Sequence, residues 1–433
     1  MGGDFGARRR ALWTAGVAVL AVGAAAVSWA VARPGAAPSG VGTPTPVPTP
    51  SASETSEVSE LEAQVDAALK ARAAALLGGK LPAFLGQLDP ANAKLRGRQQ
   101  QQFTNLRKIG LRSLTYRREG GWVPEPQAQH GANAYAFRIM MLVQVNGIDT
   151  TPRYVPLGYT FAERNGRWLL VDDDDLAAES DRGKTHEPWD LGPLEVVRGP
   201  GVLVVVPPSE KANGRRLVRE ARVAVPAVRA ATRRSQAGIL VVALGDNRSF
   251  DAEWQTGGHP AAAIAVRNYT PIDTEATQFK VTGSRIVIHP GQRAEADRYL
   301  LAHEFTHAAL SPLGHGAPTW LVEGFAEYVE MKLTADEGLT EWLADHRRTI
   351  RREGLPKLKV LPIDGVFHGD YDEQSYGVSW LIVEHLVTTY GLPRVNAFYA
   401  ELARTPEDPT ARDRALLKHF KLTDAGLVAA VKR

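Results

Sequence analysis

The chain has 433 residues, more than one ordinary domain holds, and its 44% hydrophobic and 23% charged content suits packed globular segments. Its 51 basic and 48 acidic residues leave a formal charge of +3, too even a balance to expect nucleic acid as a partner. With no cysteine, the sequence excludes a disulfide scaffold, a thiol nucleophile, a thiolate metal site and a lipid-modified N-terminal cysteine.

Arg8, Arg9 and Arg10 precede a stretch from Ala11 to Val31 that contains no charged residue. As a helix rising about 1.5 Å per residue, it is long enough to cross a hydrocarbon layer of roughly 30 Å. Residues 1–33 are therefore expected to form a cytoplasmic stub and a transmembrane helix, with residues 11–32 in the bilayer. The arginines stay cytoplasmic and the C-terminal domains extracellular, giving a single-pass protein of the cell membrane. The rival is a signal peptide cleaved near Ala30-Val31-Ala32, which makes the protein secreted. Residues 34–58, rich in Pro, Thr and Ser, hold almost nothing to bury and are expected to form an extended stalk.

Residues 59–190 open with Leu61, Val65, Ala68, Leu69 and Leu76 at helical spacing. Strand-like runs follow at Leu111–Tyr116, Ala134–Val145, Tyr154–Glu163 and Arg167–Val171, separated by turn signals such as Asn146-Gly147 and Asn165-Gly166. A helix before a run of antiparallel strands predicts an α+β domain, and the element order resembles the NTF2-like or cystatin-like folds. The acidic run Asp172–Asp175 lacks the spacing of an EF-hand loop and reads as a solvated turn rather than a calcium site.

Residues 191–433 begin with strands at Val202–Val206, Ile239–Leu244, Ala261–Arg267 and Arg285–His289, with a helix over Arg215–Arg233 between the first two. Helical patterns then dominate: Arg293–Leu310, Trp320–Leu333, Ser375–Tyr390, Pro393–Leu402 and Ala411–Phe420. Mixed strands first and helices afterwards predict a second α+β domain.

The chemistry concentrates in His303-Glu304-Phe305-Thr306-His307, inside a helical pattern. Residues four apart share a helix face, so His303 and His307 can reach one metal ion, with Glu304 placed to take a proton from a water on it. A catalytic zinc needs a third protein ligand and one open position. The segment from Pro318 to Tyr328 offers Glu323, and Glu327 one turn later can orient an imidazole through its other nitrogen. His315 is a rival third ligand. The metzincin spacing, however, asks for glycine at position 310 and histidine at position 313, and both positions hold leucine.

His303–His307 followed by Trp320-Leu321-Val322-Glu323-Gly324-Phe325-Ala326 resembles the gluzincin metallopeptidases, in particular the aminopeptidase-related peptidase MA-like families. The resemblance covers roughly His289 to Gly391. It implies a zincin-like metallopeptidase domain over residues 191–433, Zn2+ as cofactor and Glu323 as third ligand. It also implies Glu304 as general base, a peptide or protein substrate, and a downstream tyrosine, Tyr371 or Tyr376, stabilising the oxyanion. By the same resemblance, the strand Ser284–His289 is expected at a sheet edge, pairing with extended substrate. Fifteen residues separate His307 from Glu323, fewer than in the aminopeptidases, and no Gly-x-Met-Glu-Asn motif precedes the helix. Aminopeptidase specificity is therefore not implied. The competing expectations are a non-catalytic envelope protein that binds a ligand through its first domain, and a zinc hydrolase of non-peptide amides.

Overall fold

The computed structural model describes residues 52–123, 127–131, 133–173, 186–234, 238–246, 248, 261–273, 278–362, 367, 372–405 and 408–433. The expected membrane segment 11–32, most of the stalk, Tyr371, Asp174 and Asp175 lie outside them. Among the described residues, no helix is long and apolar enough to cross a membrane.

The chain opens with α1 (Ala52–Leu77) and α2 (Ala93–Ile109). Asn92 starts α2 by accepting from the Leu95 amide at 3.0 Å. Four antiparallel strands follow in the order β1-β2-β3-β4: β1 (Leu111–Val123), β2 (Ala134–Val145), β3 (Arg153–Arg164) and β4 (Arg167–Asp172). Asn165 and Gly166 join β3 to β4 with both φ angles positive, 54° and 73°, as a two-residue hairpin requires. Asp173 corrects the expectation of a solvated acidic turn. It is 8% exposed and is bonded to Arg98 and Gln99 of α2.

The second sheet is mixed, in the order β5-β6-β7-β9-β8: β5 (Glu195–Gly199), β6 (Val202–Val206), β7 (Ile239–Val242), β8 (Ala263–Pro271) and β9 (Phe279–Ile288). Helix α3 (Lys211–Thr232) makes the crossover between the parallel strands β6 and β7. The helices α4 (Arg298–Leu310), α5 (Thr319–Asp336), α6 (Thr340–Glu353), α7 (Asp372–Tyr390), α8 (Leu392–Arg404), α9 (Pro409–Phe420) and α10 (Asp424–Lys432) complete the chain.

The central strands are continuous apolar runs because both faces are covered. Val202, Val204, Val206, Ile239, Val241, Ile286 and Ile288 enter the cluster built with the helices. The alternating residues Leu203, Val205, Leu240, Val242 and Val287 enter a different cluster, shared with α1, α2 and the first sheet. The first sheet thus packs on the back of the second, and the helices on its front.

The expected edge strand is interior. β9 pairs with β7 through Val241–Ile286 and Val242–Val287, and with β8 along its other side. The strand β7 is readable from local pattern but its parallel pairing with β9 is not, and that pairing leaves β8 as the edge among the described residues.

Candidate metal site

Helix α4 is buried all round, with every residue from Tyr299 to Leu310 inside. Asp297 sets its start by accepting from the amides of Tyr299 and Leu300, both at 3.0 Å. His303, Glu304 and His307 are thereby held out of water at 0%, 0% and 5% exposure.

Helix α5 meets α4 after a turn whose glycines allow close backbone approach. A Cβ on Gly314 would lie 2.0 Å from the Ala403 carbonyl oxygen, and one on Gly316 would lie 1.6 Å from that of Thr405. His315, between them, is exposed and belongs to neither group of converging potential metal ligands among the described residues. Further along α5, Gly324 lets the backbone of α7 approach, since a Cβ there would stand 2.4 Å from the Ser379 carbonyl oxygen.

These contacts bring Glu323, fully buried, between the two histidines. Its Oε2 is 3.3 Å from His303 Nε2 and 3.4 Å from His307 Nε2. On the far side of His303, Nδ1 faces Glu327 at 3.3 Å and Glu330 at 3.4 Å. Sequence reasoning missed Glu330, although its spacing of three from Glu327 puts both on one side of α5. The ring nitrogens of both histidines and the carboxylate oxygens of Glu304 and Glu323 are buried without a well-formed hydrogen bond. Each such buried polar group costs about 1–3 kcal/mol unless something binds it.

The electrostatics follow from this crowding. Burial alone lowers the His303 imidazole, but the facing carboxylates of Glu323 and Glu327 outweigh it and raise the pKa to about 10. Burial raises Glu304 to about 8, helped by Glu323 and opposed by His303. Glu323 is held at about 2, because the two imidazoles outweigh its burial. His307 is pushed down by burial, with Glu323 opposing and Arg267 adding to the fall.

Two tyrosines approach from later helices. Tyr376 of α7 is 4% exposed, with its ring 6.4 Å from that of His303 and 5.1 Å from that of Phe367. Tyr399 of α8, which sequence reasoning did not single out, lines a cavity of about 30 Å³ with His307, Glu323, Arg267 and Ala265. That cavity has room for water. Burial raises the Tyr399 hydroxyl, and the charge of Glu323 adds to the rise.

Ala265 and Arg267 belong to the edge strand β8. Its register places Ala262 in a hydrogen-bonded pair, with the His289 amide donating to Ala262 O at 2.9 Å. By alternation, the backbone groups of Ala263, Ala265 and Arg267 point away from β9, toward the open edge.

The chain matches no model of a known protein family and no curated protein. Its fold is similar to yeast leukotriene A4 hydrolase bound to bestatin, at 13% identity and a TM-score of 0.35, over 53% of this chain and 37% of the other. The native enzyme from Saccharomyces cerevisiae gives 14% and 0.36, over 53% of this chain and 36% of its own. A mutant M1 zinc metallopeptidase from Deinococcus radiodurans gives 15% and 0.36, over 75% and 72%. The chain thus spans little more than a third of the yeast enzymes. At these scores the likeness assigns no activity, and the functional reading rests on the residues of the site.

Proposed function

We propose that this protein is a zinc-dependent peptidase of the gluzincin type, with His303, His307 and Glu323 holding the ion and Glu304 moving the proton. The observation that carries the reading is the pair of separations at Glu323 Oε2, 3.3 and 3.4 Å to the two Nε2 atoms. Ligand atoms about 2.0–2.1 Å from a tetrahedral zinc stand about 3.3–3.4 Å from one another. The donor set of two imidazoles and one carboxylate is that of a catalytic zinc, and His303 Nε2, His307 Nε2 and Glu323 Oε2 are among the buried atoms without hydrogen bonds that a cation would satisfy.

When bound, zinc supplies a Lewis acid that makes hydroxide available near neutral pH and polarises the scissile carbonyl. Glu304, buried next to that site, accepts a proton from the attacking water and passes it to the leaving amine. A pKa raised toward neutrality suits a group that must do both. The carboxylates of Glu327 and Glu330, facing Nδ1 of His303 at 3.3 and 3.4 Å, favour the ring orientation that turns Nε2 toward Glu323. A tyrosine donates to the developing oxyanion. Tyr376, its ring 6.4 Å from that of His303, and Tyr399, which lines the cavity with His307 and Glu323, are two candidates, and Tyr371 is the third. Extended substrate pairs with β8 through the outward groups of Ala265 and Arg267, beside His307. The arginine cluster and apolar stretch at the N-terminus support a site of action outside the cytoplasmic membrane, either on the stalk of residues 34–58 or secreted.

The test is hydrolysis of a diverse peptide library by the zinc-loaded protein, by the chelated protein and by Glu304→Gln. Cleavage by the first alone, with zinc retained in Glu304→Gln, is expected. Cleavage that survives chelation, or that Glu304→Gln performs equally well, rules the reading out.

A further inference from the structure

Helix α3 carries a feature with no part in the metal site. Lys211, Arg215, Arg219, Arg222 and Arg229 are exposed along it, and Arg233 follows at its C-cap, also exposed. At about 100° per residue they fall within an arc of about 80°, in a line roughly 33 Å long. The one acid of the helix, Glu220, lies on the opposite side, bound to Arg298 at 2.6 Å. Lys211 meets Glu195 at 3.2 Å, whereas the five arginines make no ion pair among the described residues. Elsewhere on the surface the charges are mixed: α6 pairs Arg348 with Asp345 at 3.2 Å and Arg352 with Glu353 at 2.7 Å. A helix face on which every charged residue is cationic, in a chain of net charge +3, is a local concentration of charge, not a consequence of composition.

Beside the line, Arg222 and Arg229 join Arg234 around a cleft of about 350 Å³, whose floor is Phe305 and Ala309 on the back of α4. Burial lowers the Arg234 guanidinium, and the charge of Arg404 lowers it further. Cations gathered on one cleft are favourable only when an anion shares it.

We propose that this arginine face docks the protein on an anionic lipid bilayer, with phosphate head groups lying along α3 and entering the Arg222–Arg229–Arg234 cleft. Guanidinium groups bind phosphate oxygens through paired N–H donors. Helix α3 contains no aromatic residue on which a nucleic-acid base could stack. The chain also brings a bilayer within reach by its own sequence. Pro34 to Ser56 spans at most roughly 80 Å after the apolar stretch Ala11–Val31.

The native chain has no thiol, so a fluorophore can be placed on exposed Ala230 through Ala230→Cys in the full-length protein. The probe is read for quenching by vesicles carrying a spin label on the head group, in phosphatidylcholine alone or with about a third phosphatidylglycerol. Quenching is expected only with the anionic vesicles and is expected to fade as salt rises. Each arginine removed should weaken it about fivefold, so Arg215→Gln/Arg222→Gln/Arg229→Gln should lose about a hundredfold. An unchanged thermal midpoint in that triple variant shows that the loss is not unfolding. Equal quenching by neutral vesicles, no quenching by either, or retention in the triple variant overturns the proposal. So does arginine-dependent binding of a DNA duplex at least as tight as that of the anionic vesicles.

Discussion

His303 is a cation at neutral pH in the ion-free protein, because carboxylates face both of its ring nitrogens and hold its pKa at about 10. The sign of the metal linkage follows. A group with a raised pKa keeps its proton below that value, and zinc reaches Nε2 only after the proton leaves. Glu304, raised to about 8, also carries a proton at pH 7 and loses it when a cation arrives beside it. Zinc binding at pH 7 should therefore release between about one and two protons and weaken by at least about tenfold per unit as pH falls from 8 to 6. Calorimetry in buffers of different ionisation enthalpy measures this, and release of no proton would remove the charge arrangement described here. The oxyanion donor is read the same way, residue by residue. Of Tyr371→Phe, Tyr376→Phe and Tyr399→Phe, one should lower kcat by about a hundredfold or more with zinc content unchanged. At this scale the convergence of His303, His307 and Glu323 was legible, because two come from one helical turn and the third from the next helix. Tyr399 and Arg267 were not, because they reach the cavity from segments distant in sequence.

At the scale of elements, the positions that matter most are close helix contacts. Gly324 lies beside Glu323 in α5 and touches the backbone of α7 at Ser379, three residues after Tyr376. Gly324→Ala should cost about 1–3 kcal/mol in denaturant unfolding of the ion-free protein and should weaken zinc binding as well, since α7 must shift. Unchanged stability would mean that the helices do not need this approach. Ala265→Pro tests the edge. It removes an outward amide while sparing the β8–β9 ladder, so KM for peptides should rise about tenfold with zinc content unchanged. An unaltered KM would move the substrate elsewhere. Strands that are long apolar runs were readable, and Ala134–Val145 and Val202–Val206 match in both bounds. β5 was not, because Glu195–Gly199 is short, half-buried and contains Arg198. Helix α4 begins at Arg298 rather than Arg293, because Pro290–Gln292 forms a separate turn and Asp297 supplies the cap.

For the whole molecule, the junction between the sheets is where charge and core meet. Arg153 of β3 donates to both carboxylate oxygens of Glu187 at 2.8 Å, and Arg285 of β9 lies 3.6 Å from the same group, all three buried. Removing one partner of such a pair leaves a buried charge uncompensated, so Glu187→Gln should destabilise by about 3–5 kcal/mol and lower the melting temperature. A variant melting with the native protein would show that this ion-pair cluster does not stabilise the junction. This cluster was beyond sequence reading. Glu187 lies on a connecting segment, and nothing in its neighbourhood announces two arginine partners from different sheets. The front of the second sheet carries the helices of the candidate metal site and its back rests on the first sheet, so the junction lies behind the His303, His307 and Glu323 cluster.

The central claim is that His303, His307 and Glu323 together bind one zinc, and X-ray absorption at the zinc edge tests it most directly. The zinc-loaded protein should show two imidazole nitrogens and carboxylate oxygen within about 2.0–2.2 Å, and His303→Ala should lose that signature. No bound zinc, or an unaltered first coordination sphere in His303→Ala, would contradict the account.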